Sequence, residues 1–206
     1  MGRYAHLAYT DSVRAVQHEN GSAAAGARPL LAGDEPELLS DNETAFIQAR
    51  DGCYLASVSE TGWPYLQFRG GPPGFLHVLD ERTLGFADVR GNRQYITTGN
   101  VRADDRVSLF LMDYARRRRL KIFGRARTLA LTEDSALTER LTTTGTEGRP
   151  ERLMLIRVEG HNWNCPQHIT PRYSEAELQV ALAPIRERIT VLEEENARLR
   201  AQLAVT

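Results

Sequence analysis

The chain has 206 residues, 41% of them hydrophobic and 26% charged, and its formal net charge is −1. That is enough for one domain with a full core plus appendages, and the balanced charge gives no global field to attract nucleic acid or an anionic membrane. No apolar run approaches the roughly 20 residues of a membrane helix, no apolar signal core opens the chain, and Cys53 and Cys165 are the sole cysteines, which argues against a disulfide framework and for a reduced, cytoplasmic setting.

Residues 1–52 read as a helical lead-in. Thr10 or Asp11 can cap a helix through Gln17. Gly21-Ser-Ala-Ala-Ala-Gly26 reads as flexible and Gly33-Asp-Glu-Pro36 as a turn. Ser40-Asp-Asn-Glu43 matches a capping box, so a helix to about Arg50 is expected.

Residues 53–165 carry short β runs separated by turns. Cys53–Ser59, Tyr65–Phe68, Phe75–Leu79 and Thr83–Ala87 come first. Asn92–Thr98 reads as a short helix ending at Gly99, and Arg106–Met112 as a buried strand. In Leu120–Leu131 the residues Leu120, Ile122, Gly124 and Ala126 share one face. Arg119, Lys121, Phe123, Arg125 and Arg127 share the other, so one side packs and the other is basic. Glu133–Leu141 suggests a helix, Thr142–Gly148 a surface loop and Leu153–Val158 a last strand. About six strands with little intervening helix imply a mainly β barrel or sandwich, not a parallel α/β sheet.

Residues 166–206 change period. After a second capping box, Ser174-Glu-Ala-Glu177, residues Leu178, Leu182, Ile185, Ile189, Leu192, Asn196, Leu199 and Leu203 follow the alternating spacing of a coiled-coil seam. Pro184 is expected to kink this helix or start a new one. The stretch packs either as an intermolecular coiled coil or as one amphipathic helix on the barrel.

Three segments bear on ligand chemistry. Gly91-Asn-Arg-Gln94 would open the 92–98 helix, where free N–H groups and the dipole favour a phosphate and Arg93 adds a charged contact. Arg69-Gly-Gly-Pro-Pro-Gly74 is a stiff loop whose glycines allow close approach, by a ligand or by neighbouring chain. His161-Asn-Trp-Asn-Cys-Pro-Gln-His168 offers His161, Cys165 and His168, but the spacing matches no strong zinc signature. No Walker or Gly-x-Gly-x-x-Gly element occurs.

The order of these elements over about residues 45–165 resembles the pyridoxamine 5′-phosphate oxidase-like family of FMN-binding split barrels. The resemblance implies a six-stranded antiparallel split β-barrel with flanking helices and a homodimer with FMN at the subunit interface. It places Asn92 and Arg93, with Gln94 beside them, at the phosphate. Arg69, Gly70, Gly71 and Phe75 fall near the ring-contacting strand, and Ala87 and Asp88 at a strand end that meets the cofactor. Arg119 aligns with a polar residue that reaches the flavin, and Trp163 would supply a flat contact. The stretch Pro72-Pro-Gly-Phe-Leu-His77 departs from the true oxidases, so the expected activity is an oxidoreductase of unassigned small-molecule substrate with hydride transfer through flavin N5, not vitamin B6 oxidation. No catalytic residue is assigned; Tyr95 and His77 are candidates. The alternatives are a deazaflavin-dependent reductase and a non-enzymatic flavin or haem module whose coiled coil recruits a partner, with His77, His161 or His168 as haem ligands.

Overall fold

The computed structural model describes residues 2–143, 148–163 and 165–204. The chain forms two compact units, one of Met1–Asp113 with Arg117–Gln167, the other of Tyr114–Arg116 with His168–Thr206.

The first unit opens with four helices, α1 (Gly2–Ala8), α2 (Asp11–Glu19), α3 (Ala23–Leu30) and α4 (Asp41–Gln48). Strands β1 (Gly52–Val58), β2 (Pro64–Gly70), β3 (His77–Asp80) and β4 (Thr83–Val89) follow. Then come α5 (Ile96–Ala103), β5 (Arg106–Asp113), β6 (Arg118–Leu129), α6 (Ser135–Thr143) and β7 (Pro150–Trp163). All pairings are antiparallel, in the order β2-β1-β5-β6-β7-β4-β3. The sheet is open, since β2 and β3 do not pair. Yet Leu55 of β1 and Leu84 and Phe86 of β4, which lie near opposite edges, join Leu109, Ile122 and Ile156 in one buried cluster. A sheet whose two ends share a core has curled on itself, which is the split-barrel architecture. It has seven strands rather than six: each of the seven β runs, the short one at 77–80 included, pairs into the sheet.

Alternation built these strands. In β6, Leu120, Ile122, Gly124 and Ala126 are buried, while Arg125 and Arg127 are exposed. The last strand runs well beyond the 153–158 core of its apolar pattern, because β6 pairs with it as far as Trp163. Register shifts between Phe123 and Gly124, which oppose Gly160 and Val158. Glu159 is thus the extra residue of a bulge, and it reaches Arg3 at 3.3 Å and Arg125 at 3.4 Å.

The lead-in holds more order than its composition suggests. Thr10 caps α2, accepting from Val13 N. The Gly21–Gly26 stretch, expected to be flexible, contributes to α3 instead. Gly26 is buried, and a Cβ there would lie 2.4 Å from Gln17 Oε1, so glycine lets α3 lie close on α2. The capping box of α4 forms as read. Burial would raise the Glu43 carboxyl, but hydrogen bonds from Ser40, Trp163 and Asn42 outweigh it and hold it down at about 2. Helix α1 has no sequence signature. It is fixed by Tyr4 stacking on Phe123 at 4.7 Å and by Gly160, where a Cβ would sit 2.6 Å from Tyr4 N. Residues 144–147 of the expected 142–148 loop lie outside the described residues; Thr142 and Thr143 close α6.

The second unit is dominated by α7 (Glu175–Ala204). Its capping box forms: Ser174 N donates to Glu177 and Glu177 N to Ser174 Oγ at 3.2 Å. Pro184 neither breaks the helix nor starts a new one, and α7 continues through it.

Candidate functional site

Strand β2 alternates exposed Leu66 and Phe68 with half-buried Tyr65, Gln67 and Arg69. The inward set lines a cleft of about 50 Å3, closed by the end of β4, the 91–95 loop, the start of α5 and the start of β7.

The anchor of the cleft is Asp88, 5% exposed. Its carboxylate accepts from Arg69 Nη1 at 2.8 Å and from Arg152 Nη1 at 3.1 Å. Antiparallel pairing explains half of this, because Asp88 stands directly opposite Arg152 in the β4–β7 register. Arg152 pairs as well with Glu151 at 3.3 Å, and with Arg93 also on the lining the three arginines outnumber these two carboxylates. Arg69 Nε is buried without a hydrogen bond. Arg152 also donates to Thr98 Oγ1 at 3.4 Å and lies over the Tyr95 ring at 4.9 Å. Tyr95 in turn donates to Glu151 at 3.3 Å, and Thr97 to Gln67 at 3.0 Å.

The 91–94 segment does not open the helix. Arg93 and Tyr95 have φ of 63° and 53°, in the left-handed region that helices exclude. Asn92 sets this turn by accepting from Gln94 N at 3.2 Å, so α5 begins only at Ile96. The consequence for binding is modest: Ile96, Thr97 and Thr98 of the first turn of α5 still line the cleft together with Arg93, and first-turn N–H groups of a helix favour an anion.

The cleft therefore gathers Arg69, Asp88, Asn92, Arg93 and Gln94. Gly70, Gly71, Phe75, Ala87, Arg119 and Trp163 do not line it. Gly70 and Gly52 make room for the Phe68 ring, since a Cβ would meet it at 2.7 and 2.4 Å, and Gly71 lies similarly against Phe75. Phe75 packs edge-on to Phe86 at 6.3 Å. Ala87 packs on the small cluster of Leu141, Leu153 and Leu155. Arg119 sits in the β5–β6 ladder opposite Met112. Trp163 packs against Phe46 at 4.7 Å, carries Arg118 over its ring at 4.4 Å and donates to Glu43.

Arg152, Gln67, Thr97 and Thr98 were not anticipated. Arg152 could have been found only by aligning β7 against β4, because 64 residues separate it from Asp88. Tyr95 lines the cleft; His77 does not. His77 Nε2 is buried without a hydrogen bond, and burial, aided by the Arg140 charge, lowers its pKa. His161 Nε2 lies 3.1 Å from the Leu38 carbonyl. Among the described residues no three His, Cys, Asp or Glu side chains cluster to hold a metal ion.

A second, larger hollow of about 390 Å3 lies between α1 and the outer face of β1, β5 and β6. Leu7, Ala56, Val58, Pro64 and Phe123 give it an apolar lining. Its arginines are matched by acids: Arg3 with Asp34 at 2.8 Å, Arg125 with Asp105 at 2.7 Å and with Glu159, and Arg106 with Asp104.

Comparison with known proteins bears on the sheet that carries the cleft. The sequence model of the family described as pyridoxamine 5′-phosphate oxidase matches residues 39–160. No curated protein matches. Among solved structures, HupZ from Group A Streptococcus is 16% identical, covers 66% of this chain and 100% of its own, and gives a TM-score of 0.50. An FMN-binding protein from Syntrophomonas wolfei is 11% identical over 59% of this chain and 83% of its own, with a TM-score of 0.45. An F420 reductase is 16% identical over 60% and 98%, with a TM-score of 0.44.

Proposed function

Because this chain belongs to the pyridoxamine 5′-phosphate oxidase family, we propose that it binds FMN through the Asp88 cleft and acts as a homodimeric oxidoreductase on a small molecule. The observation that carries the reading is the Arg69–Asp88–Arg152 triad with its buried, unbonded Arg69 Nε. A phosphate dianion supplies acceptors for that N–H and for donors on Arg93 and the first turn of α5, and it neutralises the excess positive charge.

Each residue has a distinct part. Asp88 fixes the two guanidinium planes and is a positioning residue. Arg69 and Arg152 hold the phosphate from the sheet side, and Arg93 approaches from the loop. Tyr95 supports Arg152 from beneath. When bound, the flavin supplies hydride acceptance at N5. A cleft of about 50 Å3 admits a small anion but not a tricyclic ring. The ring therefore lies outside it, against surface that a second copy of the chain would complete. Gly70, Gly71, Phe75, Ala87, Arg119 and Trp163 remain candidates for that outer shell, with Arg119 on the outward face of β6 the nearest in kind to a polar ring contact. Among the described residues no helix is long and apolar enough to cross a membrane. A cytoplasmic setting and the absence of nucleic-acid or membrane partners belong to the same proposal.

The absorbance spectrum of the purified protein tests this, followed by titration with FMN. A flavin profile, released by denaturation, supports it. A Soret band, a deazaflavin spectrum or a protein that takes up none of these would sink it. Arg93→Ala is expected to weaken FMN binding by about 1.5–3 kcal/mol, as for a charged hydrogen bond.

A further inference from the structure

Helix α7 buries none of its residues within the chain. Leu182, Ile185, Ile189, Leu192 and Leu199 are 38%, 55%, 49%, 45% and 48% exposed. They alternate at spacings of three and four, which places them on one stripe. The helix is 30 residues long, or about 45 Å. A surface stripe of branched aliphatics along such a length is unusual for a helix that stays in water.

We propose that α7 pairs with the same helix of a second copy of this chain as a parallel, in-register, two-stranded coiled coil, with Asn196 facing the partner subunit's Asn196. Setting Leu182 at heptad position a puts Ile189, Asn196 and Leu203 at the later a positions and Ile185, Leu192 and Leu199 at d. Pro184 then falls at c, away from the seam, which agrees with its uninterrupted passage through the helix. Ile189 at a with Leu192 and Leu199 at d favours two strands, whereas Leu182 at a with Ile185 at d favours more, so the aliphatic residues leave strand number to Asn196.

Charge alone does not set the direction. In the parallel register, Arg188 at g meets Glu193 at e, and Glu195 at g meets Arg200 at e; both pairs attract. In the antiparallel register centred between Ile189 and Leu192, Arg188 meets Glu195 and Arg186 meets Glu193, and these attract too. Asn196 breaks the tie. Antiparallel pairing sets its carboxamide against Ile185, where a buried amide loses its hydrogen bonds to water and gains none. Parallel pairing sets amide against amide, and each satisfies the other. The single polar residue of the seam therefore selects direction, register and strand number together.

This proposal is independent of the flavin reading, and its test reads no cofactor. The full-length Cys165→Ser protein retains only Cys53, which is 1% exposed. Ile189→Cys and Glu194→Cys are made separately in that background, with Asn196 kept, and oxidised mildly. Ile189→Cys is expected to form a disulfide-linked dimer on a non-reducing gel, and Glu194→Cys, on the outer f position, is not. Equal linking of both, or of neither, overturns the proposal. So does preferential linking of Ile189→Cys to Leu192→Cys protein in a mixture, which is the antiparallel result.

Discussion

The cleft beside Asp88 and the hollow beside Phe123 both bring arginines to the edge of a cavity, and they dispose of the charge in opposite ways. In the hollow, Arg3, Arg106 and Arg125 each have a carboxylate of their own or share Glu159. In the cleft, Arg69 and Arg152 converge on a single buried Asp88, Glu151 pairs with Arg152 alone, and Arg93 stands beside them, so arginines outnumber carboxylates. The larger cavity, at about 390 Å3, is neutralised and apolar; the smaller, at about 50 Å3, keeps unspent positive charge. Volume measures how much could fit, whereas the balance of donors and acceptors determines what would be held.

That contrast can be broken most forcefully at its centre. Asp88→Ala removes the buried carboxylate that the half-buried Arg69 and Arg152 share, leaving Arg152 with Glu151, and is expected to destabilise the fold by about 3 kcal/mol. Urea unfolding of the cofactor-free protein reads this, and an unchanged midpoint would show that Asp88 does not organise the cleft. Next in size, Arg152→Ala is expected to weaken FMN binding by about 1.5–3 kcal/mol, equivalent to a loss of roughly 10- to 150-fold. Isothermal titration would measure it, and wild-type affinity would move the phosphate elsewhere. The smallest effect belongs to the hollow. Arg106→Ala removes a side chain that is 70% exposed and paired with Asp104, so the FMN Kd is expected to stay within about twofold. A larger loss would mean that the apolar hollow, not the cleft, serves the cofactor.

Much of the sheet was legible because alternation is a local property. Leu120, Ile122 and Ala126 announce a buried face from their own spacing, and Ser40 and Glu43 announce a helix start within four residues. Half of the cleft was legible for the same reason, since Arg69, Asp88, Asn92, Arg93 and Gln94 belong to compact segments in a familiar order. Arg152 was not, because its meaning comes from facing Asp88 across the β4–β7 register. Helix α1 was not, because a seven-residue helix takes its stability from Phe123 and Gly160 rather than from propensity. The 91–95 turn misled for a subtler reason. Asn-Arg-Gln-Tyr is compatible with helix, and only the left-handed Arg93 and Tyr95 delay it to Ile96. Gly70 and Gly71 suggest room for a ligand, but the rings of Phe68 and Phe75 occupy the space a Cβ would need.

The open ends of the sheet have a consequence for how the protein behaves in crowded solution. Strand β2 begins at Pro64, which has no N–H to offer, and its Phe68 ring lies across the Gly52–Gly70 pair. Strand β3 is four residues long and shifts register between Val78 and Asp80. An incoming strand would find a capped start on one margin and a short, irregular ladder on the other. The β3 margin therefore resists edge-to-edge growth, whereas β2, with Leu66 and Phe68 exposed, is guarded only at its proline start and is the margin more open to an incoming strand.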